Sequence, residues 1–168
     1  RQGVAEQRGR RSMEELGGVY GLTQRVPLRA HYRLKLDLRT DRATELLARV
    51  CTVHLLYEQS CQGRYLRLRP TGDAWQHMSL HLSGPQLDAG LWFAPRRAAL
   101  VLTVLNAGGR VDLDNLRLEA VGGESLLRNG DFSAGMAHWL PVAQYYFIPW
   151  HIDNLFLELL IERGLLGL

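Results

Sequence analysis

Alternating apolar side chains are the feature that most limits what this chain can fold into. From Tyr32 to Arg39 the sequence reads Tyr-Arg-Leu-Lys-Leu-Asp-Leu-Arg, with an apolar residue at every second position. A period of two places successive side chains on opposite faces of a strand, so we predict a half-buried strand here. Its inward side chains are Tyr32, Leu34, Leu36 and Leu38, and its outward ones are Arg33, Lys35, Asp37 and Arg39.

Further strand-like segments follow along the chain, separated by turn residues. Glycine-containing turns such as Thr71-Gly72-Asp73, Ser83-Gly84-Pro85 and Gly122-Gly123 divide them. Several short strands at this spacing are typical of an antiparallel sandwich or barrel. We therefore predict an all-β fold from these segments: Leu46–Tyr57, Arg64–Arg69, Trp75–Leu82, Ala98–Leu105 and Val111–Leu118.

Composition predicts one domain and argues against nucleic-acid binding. A chain of 168 residues is long enough to bury a substantial core. Its net charge of +3 comes from arginine, since Lys35 is the only lysine. The arginines are scattered, with no basic block and no stacked-aromatic motif of a nucleic-acid binder.

The two cysteines have the spacing of a strand pair. Between Cys51 and Cys61, Thr52 to Gln59 ends one apolar run and Gly63 precedes another, so facing strands could bring the two sulfurs together. A disulfide closing this short loop would indicate an oxidising compartment. The alternative is two reduced cysteines in the core. A metal site is poorly supported, because only His54 lies nearby and there is no Cys-x-x-Cys pair.

Two sequence segments resemble parts of jelly-roll carbohydrate-binding modules. The stretch 111–118, Val-Asp-Leu-Asp-Asn-Leu-Arg-Leu, resembles the closing strand of such modules, and Asn129-Gly-Asp-Phe132 with Trp139 resembles their opening. In this chain the segment that resembles the opening of a module comes after the segment that resembles its closing strand. Either one jelly roll is circularly permuted, or a second module begins and is cut short. We favour the permuted jelly roll, since too few residues follow Phe132 for another sandwich.

The resemblance implies two kinds of ligand. Such modules bind sugar on exposed aromatic faces, and the candidates here are Tyr57, Tyr65 and Trp92; Trp75 is expected to pack in the core. They also often hold a structural calcium where the first and last strands meet. Calcium needs six to eight oxygen ligands, which points to Asp112, Asp114 and Asp131. The sequence identifies no other cofactor.

The C-terminal stretch from Trp150 to Leu168 is strongly apolar. It carries leucines through Leu155–Ile161 and again in Gly-Leu-Leu-Gly-Leu, with few charges between them. A membrane helix needs about 20 mostly apolar residues, and we interpret this stretch as the beginning of one. The alternative is an ordinary amphipathic helix that packs on the sandwich.

This stretch also resembles a family signature. Asp153-Asn154, followed by Gly164-Leu-Leu-Gly167, is similar to a motif of bacterial O-antigen ligases and of O-antigen or exopolysaccharide polymerases. The family's histidine falls on Asp153, but His151 stands two residues earlier. The resemblance implies that His151 activates an acceptor hydroxyl, with Asp153 and Asn154 as its motif neighbours. An imidazole can accept a proton near neutral pH, which suits this role.

Together these patterns predict three regions and a function. Residues 1–18 form a connector with a short helix, 19–140 the jelly-roll sandwich, and 141–168 a connector and the start of a membrane helix. We expect the periplasmic domain of a bacterial inner-membrane protein that ligates or polymerises undecaprenyl-pyrophosphate-linked glycan. Its partners are then glycan or lipid-linked oligosaccharide, and the membrane through flanking helices. The domain alone should be inactive. The alternative is a non-catalytic carbohydrate-binding module of an extracellular protein; a third reading is a structural adhesion domain.

Overall fold

The computed structural model describes residues 19–54, 57–106, 110–120 and 123–144. Within these ranges every regular element is a β-strand. In chain order the strands are β1 (Val19–Val26), β2 (Tyr32–Thr40), β3 (Thr44–His54), β4 (Tyr57–Leu68), β5 (Gln76–Leu82), β6 (Gly90–Leu91), β7 (Ala94–Pro95), β8 (Arg97–Val104), β9 (Val111–Glu119) and β10 (Leu140–Gln144).

The strands form a two-sheet sandwich. One sheet has five strands in the order β10-β1-β8-β3-β4, and the other has three in the order β5-β2-β9. All pairings are antiparallel, and the chain changes sheet at most connections. Such crossings are typical of jelly rolls. The prediction of an all-β sandwich is thus confirmed.

The core lies between the two sheets, and β2 runs along it with the predicted alternation. Tyr32 is 2% exposed and Leu34, Leu36 and Leu38 are fully buried, whereas the side chains between them reach solvent. The Tyr32 hydroxyl donates to the Pro27 carbonyl oxygen at 3.0 Å and accepts from the Arg29 amide at 2.6 Å. Burial raises the pKa of this phenol, because the charged form loses its hydration.

A β-bulge in β9 resolves a break in the apolar pattern. Leu113 and Leu116 are three residues apart, yet both are buried. The register against β2 shifts between Lys35 and Asp37, and Asn115 has a φ of 50°, so it supplies the extra residue. Asparagine tolerates this left-handed conformation better than most residues. The bulge therefore returns the second half of β9 to the core.

The segment before β10 packs on the same core. Phe132 and Trp139 are 2% and 3% exposed and belong to the single large hydrophobic cluster. Gln24 of β1 anchors the segment, since its side chain accepts from the Arg128 amide at 2.7 Å and donates to the Arg128 carbonyl oxygen at 2.9 Å. The segment 129–139, which resembles the opening of carbohydrate-binding modules, thus packs on the core of this sandwich.

The observed strands extend the predicted organisation at its end. β10 pairs with β1 from Thr23 opposite Leu140 to Val19 opposite Gln144. The sandwich therefore continues to Gln144, four residues past the predicted boundary at 140. Neither the short N-terminal helix predicted in 1–18 nor the C-terminal helical stretch lies within the described residues. In the ranges that are described, no helix is long and apolar enough to cross a membrane.

Candidate functional site

A groove of about 1370 Å³ lies on the outer face of the five-stranded sheet. Thr23 of β1, Ala99 and Val101 of β8 and Val53 of β3 line it from the sheet. In the sheet register, Thr23 lies opposite Val101. Cys51 lies opposite Ala99, and Val53 is two residues beyond Cys51. Because these side chains are short, the centre of the face leaves room for a ligand.

An aromatic hairpin contributes to one part of the groove. β6 and β7 pair through Gly90 with Pro95 and Leu91 with Ala94, leaving Trp92 and Phe93 as the turn. Trp92 is 92% exposed and Phe93 is 66% exposed. The two rings meet edge to face with centroids 5.5 Å apart. Phe93 lines the groove, and Trp92 contacts Phe93 from outside the groove lining.

The base of this hairpin is held by polar contacts. Asp88 accepts from the Gly90 amide at 2.8 Å and from the Arg96 guanidinium at 2.7 Å. The Arg96 amide donates to the Ala89 carbonyl oxygen at 2.8 Å. Gly90 has a φ of 73°, and a Cβ there would lie 2.4 Å from the Ala94 carbonyl oxygen. Only glycine fits that backbone, so the hairpin presents its aromatic tip from a fixed base.

The loop before β10 supplies another part of the groove, through His138, Trp139 and Leu140. Asn129 organises this loop: its side chain donates to the carbonyl oxygens of Gly135 at 2.8 Å and Ala137 at 3.0 Å. The Trp139 indole donates to the Asn129 carbonyl oxygen at 3.0 Å, and its ring stacks on Phe132. His138 is exposed, with a φ of 71°.

The predicted aromatic residues fall at different places. Neither Trp92 nor Tyr65 of β4 lines the groove: Trp92 contacts the groove residue Phe93, and Tyr65 is 43% exposed elsewhere on the five-stranded sheet. A hydrogen bond with Glu45 raises the pKa of the Tyr65 phenol. The side chain of Tyr57 lies outside the described residues. Trp75 was expected in the core, but it is 37% exposed and Arg39 lies 4.9 Å from its ring centroid.

The disulfide prediction is confirmed. Cys51 of β3 and Cys61 of β4 are direct cross-strand partners and form a disulfide, with their Cα atoms 4.0 Å apart. Cys51 is fully buried and Cys61 is half-buried. In the same cross-strand row, β8 contributes Ala99 and β1 contributes Arg25. The disulfide therefore braces the sheet beside the groove.

The structure does not bring the three candidate calcium ligands together. Asp112 is buried between Arg39 at 2.7 Å and Arg110 at 3.0 Å. Asp114 accepts from the Asn115 amide. Asp131 accepts from the amide and hydroxyl of Ser133, which lower the pKa of its carboxyl. Among the described residues, the one close group of three potential metal-binding side chains is Cys51, Glu58 and Cys61, whose sulfurs are bonded to each other.

The outer face of the three-stranded sheet is polar. His77 contacts Asp37, and the Asn115 side chain donates to the same carboxylate at 2.9 Å. His81 lies 2.9 Å from the Arg33 guanidinium. The two histidines, spaced four apart in sequence, thus have separate partners instead of one shared site.

The predicted catalytic residues His151, Asp153 and Asn154 lie outside the described residues. Among the described residues, the sequence analysis did not identify four residues that line the groove: Phe93, Arg25, Arg97 and His138. A signal for the first was available, because Leu91-Trp92-Phe93 places three large apolar residues between turn-forming Gly90 and Pro95. The sequence contains no comparable signal for the two arginines, since strand register decides that they share a face.

Comparison with known proteins leaves the family open. No protein-family model and no curated protein matches the chain. One solved structure with partial likeness is TmCBM61, in complex with beta-1,4-galactotriose. The two have 18% sequence identity and a TM-score of 0.36, and the match covers 61% of this chain and 64% of that one. The chain thus spans less than two thirds of that protein's length. A likeness this slight assigns no ligand.

Proposed function

We propose that this chain is a carbohydrate-binding module and that the groove on its five-stranded sheet holds a glycan. The observation that carries the proposal is the groove itself, an open surface of about 1370 Å³ lined by both apolar and hydrogen-bonding side chains. An open groove suits a chain of sugars, because the polymer can enter and leave at its ends.

The lining matches the two surfaces of a sugar ring. The hydroxyls of the sugar need hydrogen-bond donors and acceptors. The groove offers them through Arg25, Arg97, His138 and Thr23. The C–H faces of the sugar are apolar and pack on aromatic rings, which Phe93 and its neighbour Trp92 provide. Specific ligand sites commonly combine an apolar surface with a few placed polar groups. Nothing in this arrangement requires catalysis.

Replacing Phe93 with alanine tests this site. Phe93→Ala should weaken polysaccharide binding about tenfold, equivalent to roughly 1.4 kcal/mol of lost apolar contact. Binding can be screened on a glycan array and measured by affinity electrophoresis. Trp75→Ala is the matched control, since Trp75 is an exposed aromatic residue outside the groove, directly before β5 of the other sheet. If no glycan binds the unaltered chain, or both variants lose binding equally, the groove is not a glycan site.

A second proposal concerns the whole protein. The Asp153-Asn154 motif with Gly164 and Gly167 supports the periplasmic domain of an inner-membrane glycan ligase or polymerase, as does the disulfide, which favours an oxidising compartment. In this case a circularly permuted jelly roll would project from the membrane, and its groove would hold the growing or accepting glycan. The comparisons offer no support for this family.

This second proposal predicts a catalytic role for His151. In the full-length protein, His151→Ala should abolish the cell-envelope polymer while His31→Ala, an exposed histidine of the sandwich, leaves it intact. Gel analysis of lipopolysaccharide and capsule measures the polymer. Unchanged polymer in the His151 variant would contradict the ligase role without affecting the carbohydrate-binding proposal.

A further inference from the structure

The groove has an excess of positive charge. Arg25, Arg97 and Arg128 all line it. Among the described residues, Glu58 is the only acidic one that lines the groove, and its carboxylate is 3.1 Å from the Arg49 guanidinium. No carboxylate pairs with the three groove arginines in the part of the chain that the structure describes, so their charge is available to a ligand.

The opposite sheet shows a contrasting arrangement. On its outer face Lys35 lies 2.9 Å from Glu119, and Arg39 lies 2.7 Å from Asp112. Arg110 contacts the same Asp112 carboxylate at 3.0 Å. Three cations there share the two carboxylates of Glu119 and Asp112. Arg33 and Arg117 of the same sheet also have no carboxylate partner in the described part of the chain, so the groove differs in that three such arginines line one concave surface.

Strand register places two of the arginines close together. Arg25 of β1 is directly opposite Ala99 of β8, and Arg97 is two residues from Ala99 on the same face. Such diagonal neighbours lie about 7–8 Å apart across an antiparallel pair. Two like charges at this separation repel each other unless an anion lies between them. Both belong to strands of one sheet, so their spacing is set by the fold.

We infer that the groove selects acidic glycans, whose uronate carboxylates or sulfate esters bind Arg25 and Arg97. The inference rests on the proposed carbohydrate-binding function and specifies its ligand class. A guanidinium presents a planar fork of donors that matches an oxyanion, which a neutral sugar lacks. The short Ala99 side chain beneath the pair leaves space for the anionic group.

Binding to matched polymers tests this selectivity. The 168-residue chain is titrated with polygalacturonate, with neutral galactan and with dextran sulfate, by affinity electrophoresis and calorimetry. We expect polygalacturonate to bind at least about tenfold more tightly than galactan. Raising sodium chloride from about 50 to about 300 mM should weaken binding of the acidic polymers and leave galactan unchanged. Dextran sulfate distinguishes sulfate from carboxylate as the preferred anion.

Substitutions then locate the effect. Arg25→Gln and Arg97→Gln should each weaken polygalacturonate binding about tenfold, because each removes a charged hydrogen bond to the ligand. Arg69→Gln, an exposed cation outside the groove lining, should have no effect. Equal binding of galactan and polygalacturonate, or equal losses in all three variants, would overturn the inference while the carbohydrate-binding function stands. Failure of every polymer to bind would overturn both.

Discussion

At the residue scale, Gly130 shows how the absence of a side chain lets the segment before β10 pack closely against β9. The Gly130 carbonyl oxygen accepts from the Leu116 amide at 2.8 Å, just after the bulge of β9. A Cβ on Gly130 would lie 2.0 Å from the Leu116 carbonyl oxygen. The sequence Asn-Gly-Asp indicated only a tight turn, because the steric need for glycine comes from β9, a separate strand.

Gly130→Ala should therefore lower the free energy of unfolding by about 2–3 kcal/mol, the cost typical of overpacking. The measurement is urea denaturation followed by tryptophan fluorescence, to which buried Trp139 contributes. Gly72→Ala is the control, since Gly72 has a φ of 61° and open space around it. It should cost only about 1 kcal/mol of backbone strain. A Gly130 variant as stable as the original chain would contradict this account.

At the scale of elements, the β3–β4 hairpin is the one that the sequence described best. The predicted segments Leu46–Tyr57 and Arg64–Arg69 and the cysteine spacing indicated the strand pair and the Cys51–Cys61 bond, although β4 begins at Tyr57 and not at Arg64. Hairpins depend on local contacts, so a pattern within some 25 residues suffices. β10 shows the opposite case: its pairing partner β1 is about 120 residues away, and no local pattern in Leu140–Gln144 marks it as an edge strand.

Removing the disulfide should destabilise the sandwich without changing its fold. In the double variant Cys51→Ala, Cys61→Ala, we expect the free energy of unfolding to fall by about 2–3 kcal/mol, because the unfolded chain gains the entropy of an open loop. Alanine is chosen because Cys51 is fully buried. Denaturation with and without reductant measures the effect: reductant should destabilise the original chain by the same amount and leave the variant unaffected. Identical midpoints for all four samples would refute the prediction.

At the scale of the whole molecule, the two outer faces of the sandwich differ in how their charges are used. The three-stranded sheet pairs Lys35 with Glu119 and Arg39 with Asp112 across neighbouring strands. The five-stranded sheet instead has a groove in which Arg25 and Arg97 lack such partners. Unpaired like charges cost stability in the free protein, and a ligand that neutralises them recovers that cost on binding. The predicted preference for acidic glycans follows from the arginines that line the groove together.

The amino-acid sequence by itself determined the β class, the inward face of β2 and the disulfide partners, because each depends on a periodicity or spacing within a short stretch. Only the tertiary structure decided which residues share the groove. Arg25, Arg97, Phe93 and His138 come from separate segments, and their common surface exists because antiparallel register aligns β1 with β8 and places the hairpin and the β10 loop beside them. That alignment buries apolar side chains of separate strands in one shared core, which is a property of no single segment.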